Sequence, residues 1–252
     1  LGLAFGSLIA GLLAQYAPWP LRLSFVVYLA AIAIVAGLIW RTEETVARPA
    51  RGFSADLLRP RIGVPADIRG KFVAPAVAGF GAMALVGFFA ALAPSILAQE
   101  LHQTSHATAG ALVFELAIVC AATVQVTHGL SSRTAMLWGL GLAVPSVALM
   151  VASQMLASMA VMIGATALCG ISAALGYRGS LEVINKIAPE DRRAEVTSSY
   201  FVCCFAGNAL PVIGVGIISA YAGMPSASAT FAAMLSLFAV GAILFDIKST
   251  HR

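Results

Sequence analysis

Between Phe72 and Ala98 the chain runs without a single charged residue, and similar uncharged apolar runs recur along most of its length. A bilayer core of about 30 Å is crossed by about 20 apolar residues wound as a helix. Eight candidate spans meet or approach that length: Leu1–Tyr16, Arg22–Trp40, Phe72–Ala98, Ala107–His128, Thr134–Ala152, Ala157–Gly179, Glu195–Tyr221 and Ser226–Asp246. Strands of a membrane barrel would be about 10 residues long and alternate in polarity. These runs are longer and apolar on every face, so they read as helices. Composition agrees: 60% of residues are hydrophobic, 10% are charged, and mean hydropathy is +0.92. Soluble domains carry about a quarter charged residues. The expected class is an all-α integral membrane protein.

Basic residues then set the orientation. The spans leave two alternating sets of loops. One set holds Arg41–Lys71, Gly129–Arg133, Ser180–Ala194 and the tail Ile247–Arg252 and, with its flanks, contains fourteen of the fifteen Lys and Arg residues. The opposite set has only Arg22 beside it. Cytoplasmic loops carry the excess of Lys and Arg. Both ends of the chain are therefore expected in the cytoplasm, in a bacterial-type inner (plasma) membrane.

The longest loop, residues 41–71, is rich in Arg and Pro and carries four acids. It reads as a cytoplasmic linker between helical bundles. Its positive charge suits topology and anionic lipid headgroups, and nucleic acid is not expected as a partner. Leu1 opens straight into an apolar run, with no basic n-region and no cleavage site, so no signal peptide is expected and the chain reads as cut. Cys120, Cys169, Cys203 and Cys204 all lie in apolar runs without zinc-ligand spacing. They read as small apolar fillers.

An internal repeat organises the spans. GLAFGSLIAGLLAQYA from Gly2 aligns with GNALPVIGVGIISAYA from Gly207 at a constant offset of 205 residues. Gly2 meets Gly207, Ala4 meets Ala209, Gly11 meets Gly216, Tyr16 meets Tyr221, and Ala17 meets Ala222. Leu8, Leu12 and Leu13 fall opposite Ile213, Ile217 and Ile218. The offset spans six helices, the pattern of two six-helix halves related by an axis along the membrane normal.

On these residues the chain resembles the major facilitator superfamily. Its members have twelve helices in two six-helix halves joined by a long cytoplasmic loop. The resemblance implies a helical bundle in which the eight visible spans are the fifth to twelfth. Residues 1–40 would then be the last two helices of the N-terminal half, 41–71 the central linker, and 72–252 the C-terminal half. Four earlier helices of the same chain become an expected partner, without which no transport is expected. Glu44-Thr45 resembles the "PET" ending that follows the sixth helix, with Glu43 in place of proline. GLSSRT (Gly129–Thr134) is similar to the family's G-x-x-x-D-R-x-G-R loop but lacks the Asp and the second Arg. GLAFGSLIAG resembles the glycine-rich motif of drug–proton antiporters, with Gly2, Gly6 and Gly11 matching and Ser7 and Ala10 departing.

Gly2, Gly6 and Ala10 place small residues on one helical face, where backbones approach closely in lipid. With Gly11, Gly207, Pro211 and Gly216 they are the packing or gating candidates. Pro75, Pro94, Pro145 and Pro211 stand inside spans, where membranes tolerate them as kinks.

Glu115 lies inside an apolar run, roughly 12 Å from the outer end of its helix at 1.5 Å per residue. An intramembrane acid is costly, and such residues mark ion or substrate pathways. An acid that binds and releases a proton at that depth is what coupling to a proton gradient needs; the alternative is a carboxyl that only ties helices together. Asn208, Tyr177, Arg178 and Gln125 are the polar candidates for the cavity or solute path. Of these, Gln125 suits a packing hydrogen bond and Arg178 a headgroup anchor at least as well. Glu182, Glu190, Asp191 and Glu195 among Lys186, Arg192 and Arg193 read as cytoplasmic ion pairs. His102 and His106 are four apart but sit in a loop, and no metal site is expected. No phosphate-binding loop, His-Glu-x-x-His or Ser/His/Asp set is present, so neither enzyme chemistry nor a cofactor is expected.

The reading that results is a secondary transporter of a small organic solute, working by alternating access and coupled to protons in the sense of efflux. Its alternatives are a proton symporter for a sugar or organic acid and, in another class, a membrane scaffold or sensor that transports nothing.

Overall fold

The computed structural model describes residues 2–43 and 62–250. Glu44, Thr45 and most of the expected linker lie outside the described residues. Within them the chain forms eight α-helices and no strand: α1 (Gly2–Tyr16), α2 (Pro20–Trp40), α3 (Arg69–Gln99), α4 (His106–Val126), α5 (Ser132–Met155), α6 (Met159–Ile187), α7 (Arg193–Ala222) and α8 (Met224–Thr250). Seven are long and apolar enough to cross a membrane, and α1 is a shorter apolar helix. Helix starts follow local chemistry. Ser105, Ser131 and Ser158 cap α4, α5 and α6, their side chains accepting from the backbone N–H of Thr108, Thr134 and Val161. Such caps satisfy donors that the first helical turn leaves unpaired.

One boundary differs from expectation. The sixth span was expected to end at Gly179 and open into a loop, but α6 continues to Ile187. The extension SLEVINKI buries Ser180 and Ile184, while Glu182 and Lys186 on another face reach Ser132 at the start of α5. Amphipathic periodicity carries the helix beyond its apolar segment.

The core lies among α3, α5, α6 and α8, where Phe88 stacks on Phe231 with ring centroids 4.4 Å apart. The most extensive contact joins α5 to α6. Gly139 faces Gly176 there, and a Cβ on Gly179 would stand 2.6 Å from the Ser132 carbonyl oxygen. Small residues at a crossing let helices meet backbone to backbone, which in lipid replaces the missing hydrophobic drive. A second cluster sits where most described Lys and Arg residues gather, here called the basic end. Phe72, Ile184, Val196 and Tyr200 join α3, α6 and α7. Tyr200 is fully buried, its hydroxyl 2.7 Å from Ser180 Oγ.

The segment before α3 is tied to this cluster. Gly63 N–H donates to Ser199 Oγ at 2.9 Å, and Ser199 Oγ lies 3.1 Å from the Gly63 carbonyl oxygen and 3.0 Å from that of Glu195.

Candidate functional site

Helices α1 and α4 run antiparallel and are in intimate contact at the end away from the basic residues. A Cβ on Gly11 would stand 2.8 Å from the His106 carbonyl oxygen and 2.9 Å from Gly110 Cα. One turn on, His106 N–H donates to Gln15 Oε1 at 2.9 Å. Phe5 and Phe114 meet edge to face at 5.6 Å. Towards the basic end this seam holds a cavity of about 320 Å³, with Leu3 on the α1 side. Its other walls are Ala82, Met83 and Val86 of α3, Leu116, Ala117, Cys120, Ala121 and Val124 of α4, and Ala173, Ala174 and Tyr177 of α6.

The face of α1 that packs on α4 is not the glycine stripe. Gly2, Gly6 and Ala10 are exposed, and a Cβ on Gly2 or Gly6 would meet nothing within 4 Å. The contact is made by Ala4, Ser7 and Gly11: Ala4 and Gly11 are buried, and Ser7 presents its carbonyl oxygen to Gly110. A turn of 3.6 residues places positions 4, 7 and 11 on one stripe, adjacent to the glycine stripe. The repeat partners are not used alike. Gly207 of α7 packs against the Phe80 backbone of α3, whereas Gly216 meets nothing. Pro211, inside α7, is buried.

The polar candidates separate. Tyr177 lines the cavity. Asn208 does not; its side chain lies against α3, with Oδ1 2.8 Å from where a Cβ on Gly87 would stand. Gln125 is exposed near the end of α4, its carbonyl oxygen 2.8 Å from His128 Nδ1. Glu115 is half-buried and, among the described residues, has neither a hydrogen bond nor an ion pair. At about 100° per residue it stands on the opposite side of α4 from Ala117, Cys120, Ala121 and Val124. One turn further along that side, Val119 packs on Gly170 of α6.

Arg178 is neither free for solute nor held at the surface. Its Nη1 donates to the Thr127 carbonyl oxygen and lies 3.2 Å from Thr127 Oγ1. Nη2 donates to the Leu130 carbonyl oxygen at 2.9 Å, and Nε is 3.0 Å from Glu182 Oε1. Glu182 also accepts from Ser132 Oγ at 2.7 Å, and Lys186 Nζ donates to that same Oγ at 2.7 Å. The next residue, Arg133, pairs with Asp246 of α8 at 2.7 Å. Residues 127–133 are thus a hub that ties α4, α5, α6 and α8 at the basic end. The GLSSRT resemblance marked the place, but the carbonyl acceptors that give Arg178 its role carry no signal in side-chain chemistry.

Among the described residues, no group of three or more His, Cys, Asp or Glu side chains could hold a metal ion. Among the described residues, the side-chain hydrogen-bond donors on this lining are Cys120 and Tyr177. No curated protein matches the chain in sequence. The family model described as Major Facilitator Superfamily matches residues 1–211. That match and the all-α bundle of apolar helices agree with one another, and the chain belongs to the Major Facilitator Superfamily, as a multi-pass secondary transporter.

Proposed function

We propose that the protein exports a small organic solute by alternating access, driven by a proton gradient across a bacterial-type inner membrane, with its basic end in the cytoplasm. One observation carries this reading. Gly11 and Gly110 bring α1 and α4 backbone to backbone at the end away from the basic residues, beside a groove of about 320 Å³ lined by α3, α4 and α6. Helices of the two halves that rock against each other in alternating access need such a close contact to form a gate. The fourteen-to-one distribution of basic residues supports a cytoplasmic position for the basic end.

For the proton we propose Glu115, the acid that stands mid-helix on α4 while Glu182 and Asp246 are paired at the basic end. A proton path need not share the solute chamber, and its place on the flank towards α6 suits a separate one. The test is counterflow in vesicles made with the full-length protein under an imposed pH gradient. Solute leaving the cytoplasmic-equivalent side against its own gradient is the expected result. Accumulation in the other sense would make the protein a nutrient symporter, and no movement of any solute would make it a scaffold or sensor.

A further inference from the structure

We infer that a groove on the flank of the bundle away from α1 seats an anionic phospholipid of the cytoplasmic leaflet, its acyl chain along α3 and its phosphate on Arg69 and Lys248. The groove holds about 200 Å³ and is lined by Ala76, Val77 and Phe80 of α3, Cys203 of α7 and Phe238 of α8. Phe80 and Phe238 meet edge to face at 5.7 Å and stand between it and a second apolar hollow nearer the other end. At 3.6 residues per turn, Arg69, Val73, Ala76 and Phe80 form one stripe of α3. Val73 is 41% exposed and Arg69 is exposed, so the stripe runs open from the groove to the basic end. From Phe80 to Arg69 the helix rises about 16 Å, close to half of the roughly 30 Å hydrocarbon core. That is the depth of one leaflet.

Charge at the mouth selects the headgroup. Arg69 Nε donates to the Val64 carbonyl oxygen at 3.2 Å, which orients the guanidinium, and its terminal nitrogens have no further partner among the described residues. Such a fork matches two phosphate oxygens. Lys248, exposed in the last turn of α8, stands about a quarter turn from the Phe238 stripe. Its stem can lie on hydrocarbon while the ammonium reaches the headgroup. Asp246 points the other way, to Arg133 of α5. The other half of the protein docks elsewhere. Among the described helices, α1 touches α2 and α4, and α2 touches α1. At the repeat offset of 205, the stripe Ala4–Ser7–Gly11 that packs on α4 corresponds to Ala209–Val212–Gly216 of α7. That stripe is roughly 150° round α7 from Cys203, so the groove face of α7 is turned to lipid. Hydrocarbon fills an apolar groove there, because an empty one forfeits dispersion contacts.

Native mass spectrometry of the full-length protein tests this, with dioleoylphosphatidylglycerol and dioleoylphosphatidylcholine offered at equal concentration in detergent. The expected result is one retained phosphatidylglycerol, in clear preference to phosphatidylcholine. Arg69→Gln and Lys248→Gln should each lower that preference about fivefold, the effect of one cation beside an anionic leaflet. Cys203→Phe fills the groove and leaves every charge in place, and it should cut retention of both lipids by about as much; Cys203→Leu stands in if the phenylalanine does not fold. Lys71→Gln removes an equal charge from the exposed side of α3 about 200° round from Arg69 and should change nothing. Equal retention of the two lipids, or a loss in Lys71→Gln as large as in Arg69→Gln, would reduce the site to general attraction by the basic end and overturn the proposal. Retention that neither Cys203 variant moves would overturn it too, since the chain would lie elsewhere, and so would retention of no lipid, which would leave the groove to protein. None of these outcomes bears on solute export, which counterflow decides separately.

Discussion

Gly11 of α1 and Gly110 of α4 touch without side chains between them: a Cβ on Gly110 would stand 2.6 Å from the Ser7 carbonyl oxygen and 3.0 Å from Gly11 Cα. Backbone atoms cannot swing aside as a side chain can, so alanine at either glycine must push the helices apart. Gly11→Ala and Gly110→Ala are each expected to destabilise the protein by about 1–3 kcal/mol, the usual range for overpacking a tight contact. Gly6→Ala is the contrast, because nothing lies within 4 Å of a Cβ there. It should be neutral or stabilising by up to about 1 kcal/mol through helix propensity. Thermal unfolding in detergent reads all three. Equal effects at Gly6 and Gly11 would show that the seam is not where α1 and α4 close.

Arg178 joins α6 to the end of α4 by a geometry that lysine cannot copy. Its guanidinium reaches two backbone carbonyls and Glu182 in three directions, with 11% of the side chain exposed. Hydrogen bonds from a charged group contribute about 1.5–3 kcal/mol, and a point ammonium has no planar fork. Arg178→Ala should cost about 2–3 kcal/mol, and Arg178→Lys should recover less than half of it. The check is chemical unfolding of both variants beside the parent. Were Arg178 a solute clamp instead, Lys would keep stability and lose only transport.

Ser199 holds the segment ahead of α3 on α7 through the Gly63 N–H and carbonyl groups. Ser199→Ala removes both contacts and should speed amide exchange at Gly63 by about fivefold, the equivalent of one neutral hydrogen bond near 1 kcal/mol. Exchange at Tyr200 and along the rest of α7 should not change, because helix bonds persist. If Gly63 exchanges no faster, the segment is held by its apolar contacts, of which Val64 and Ile68 are the candidates.

Span number, helix class and the basic end were legible in the sequence, because lipid allows few alternatives: an apolar run must satisfy its own backbone and does so as a helix. Packing faces were harder to read. The stripe Gly2–Gly6–Ala10 and the stripe Ala4–Ser7–Gly11 are both made of small residues, and only the position of α4 chooses between them. The repeat sets Gly11 opposite Gly216 in sequence, yet one is packed and the other meets nothing within 4 Å, because α1 and α7 meet different neighbours. The same limit applied to Arg178 and Asn208. Their polarity marked them as candidates, but their partners, two carbonyls for one and the α3 backbone at Gly87 for the other, are set by tertiary placement. Tyr177 shared that polarity, and its place beside α3 and α4 is likewise set by how α6 packs.

Glu115 poses a sharper alternative than any of these, because its two roles predict opposite pairs of results. A carboxyl that ties helices together needs a partner, and none is present among the described residues. Glu115→Gln keeps shape and polarity but removes titration. If Glu115 carries the proton, the variant should unfold within about 0.5 kcal/mol of the parent, as substitutions that break no contact do, while solute movement loses its dependence on the imposed pH gradient. Downhill exchange of solute should survive, since the cavity wall on the other side of α4 is untouched. If the residue is a structural tie in the assembled protein, the order reverses: stability falls and the pH dependence of transport persists. Measuring unfolding and gradient-driven counterflow on the same preparation separates the two, and unchanged pH dependence removes Glu115 from the coupling mechanism whatever the stability shows.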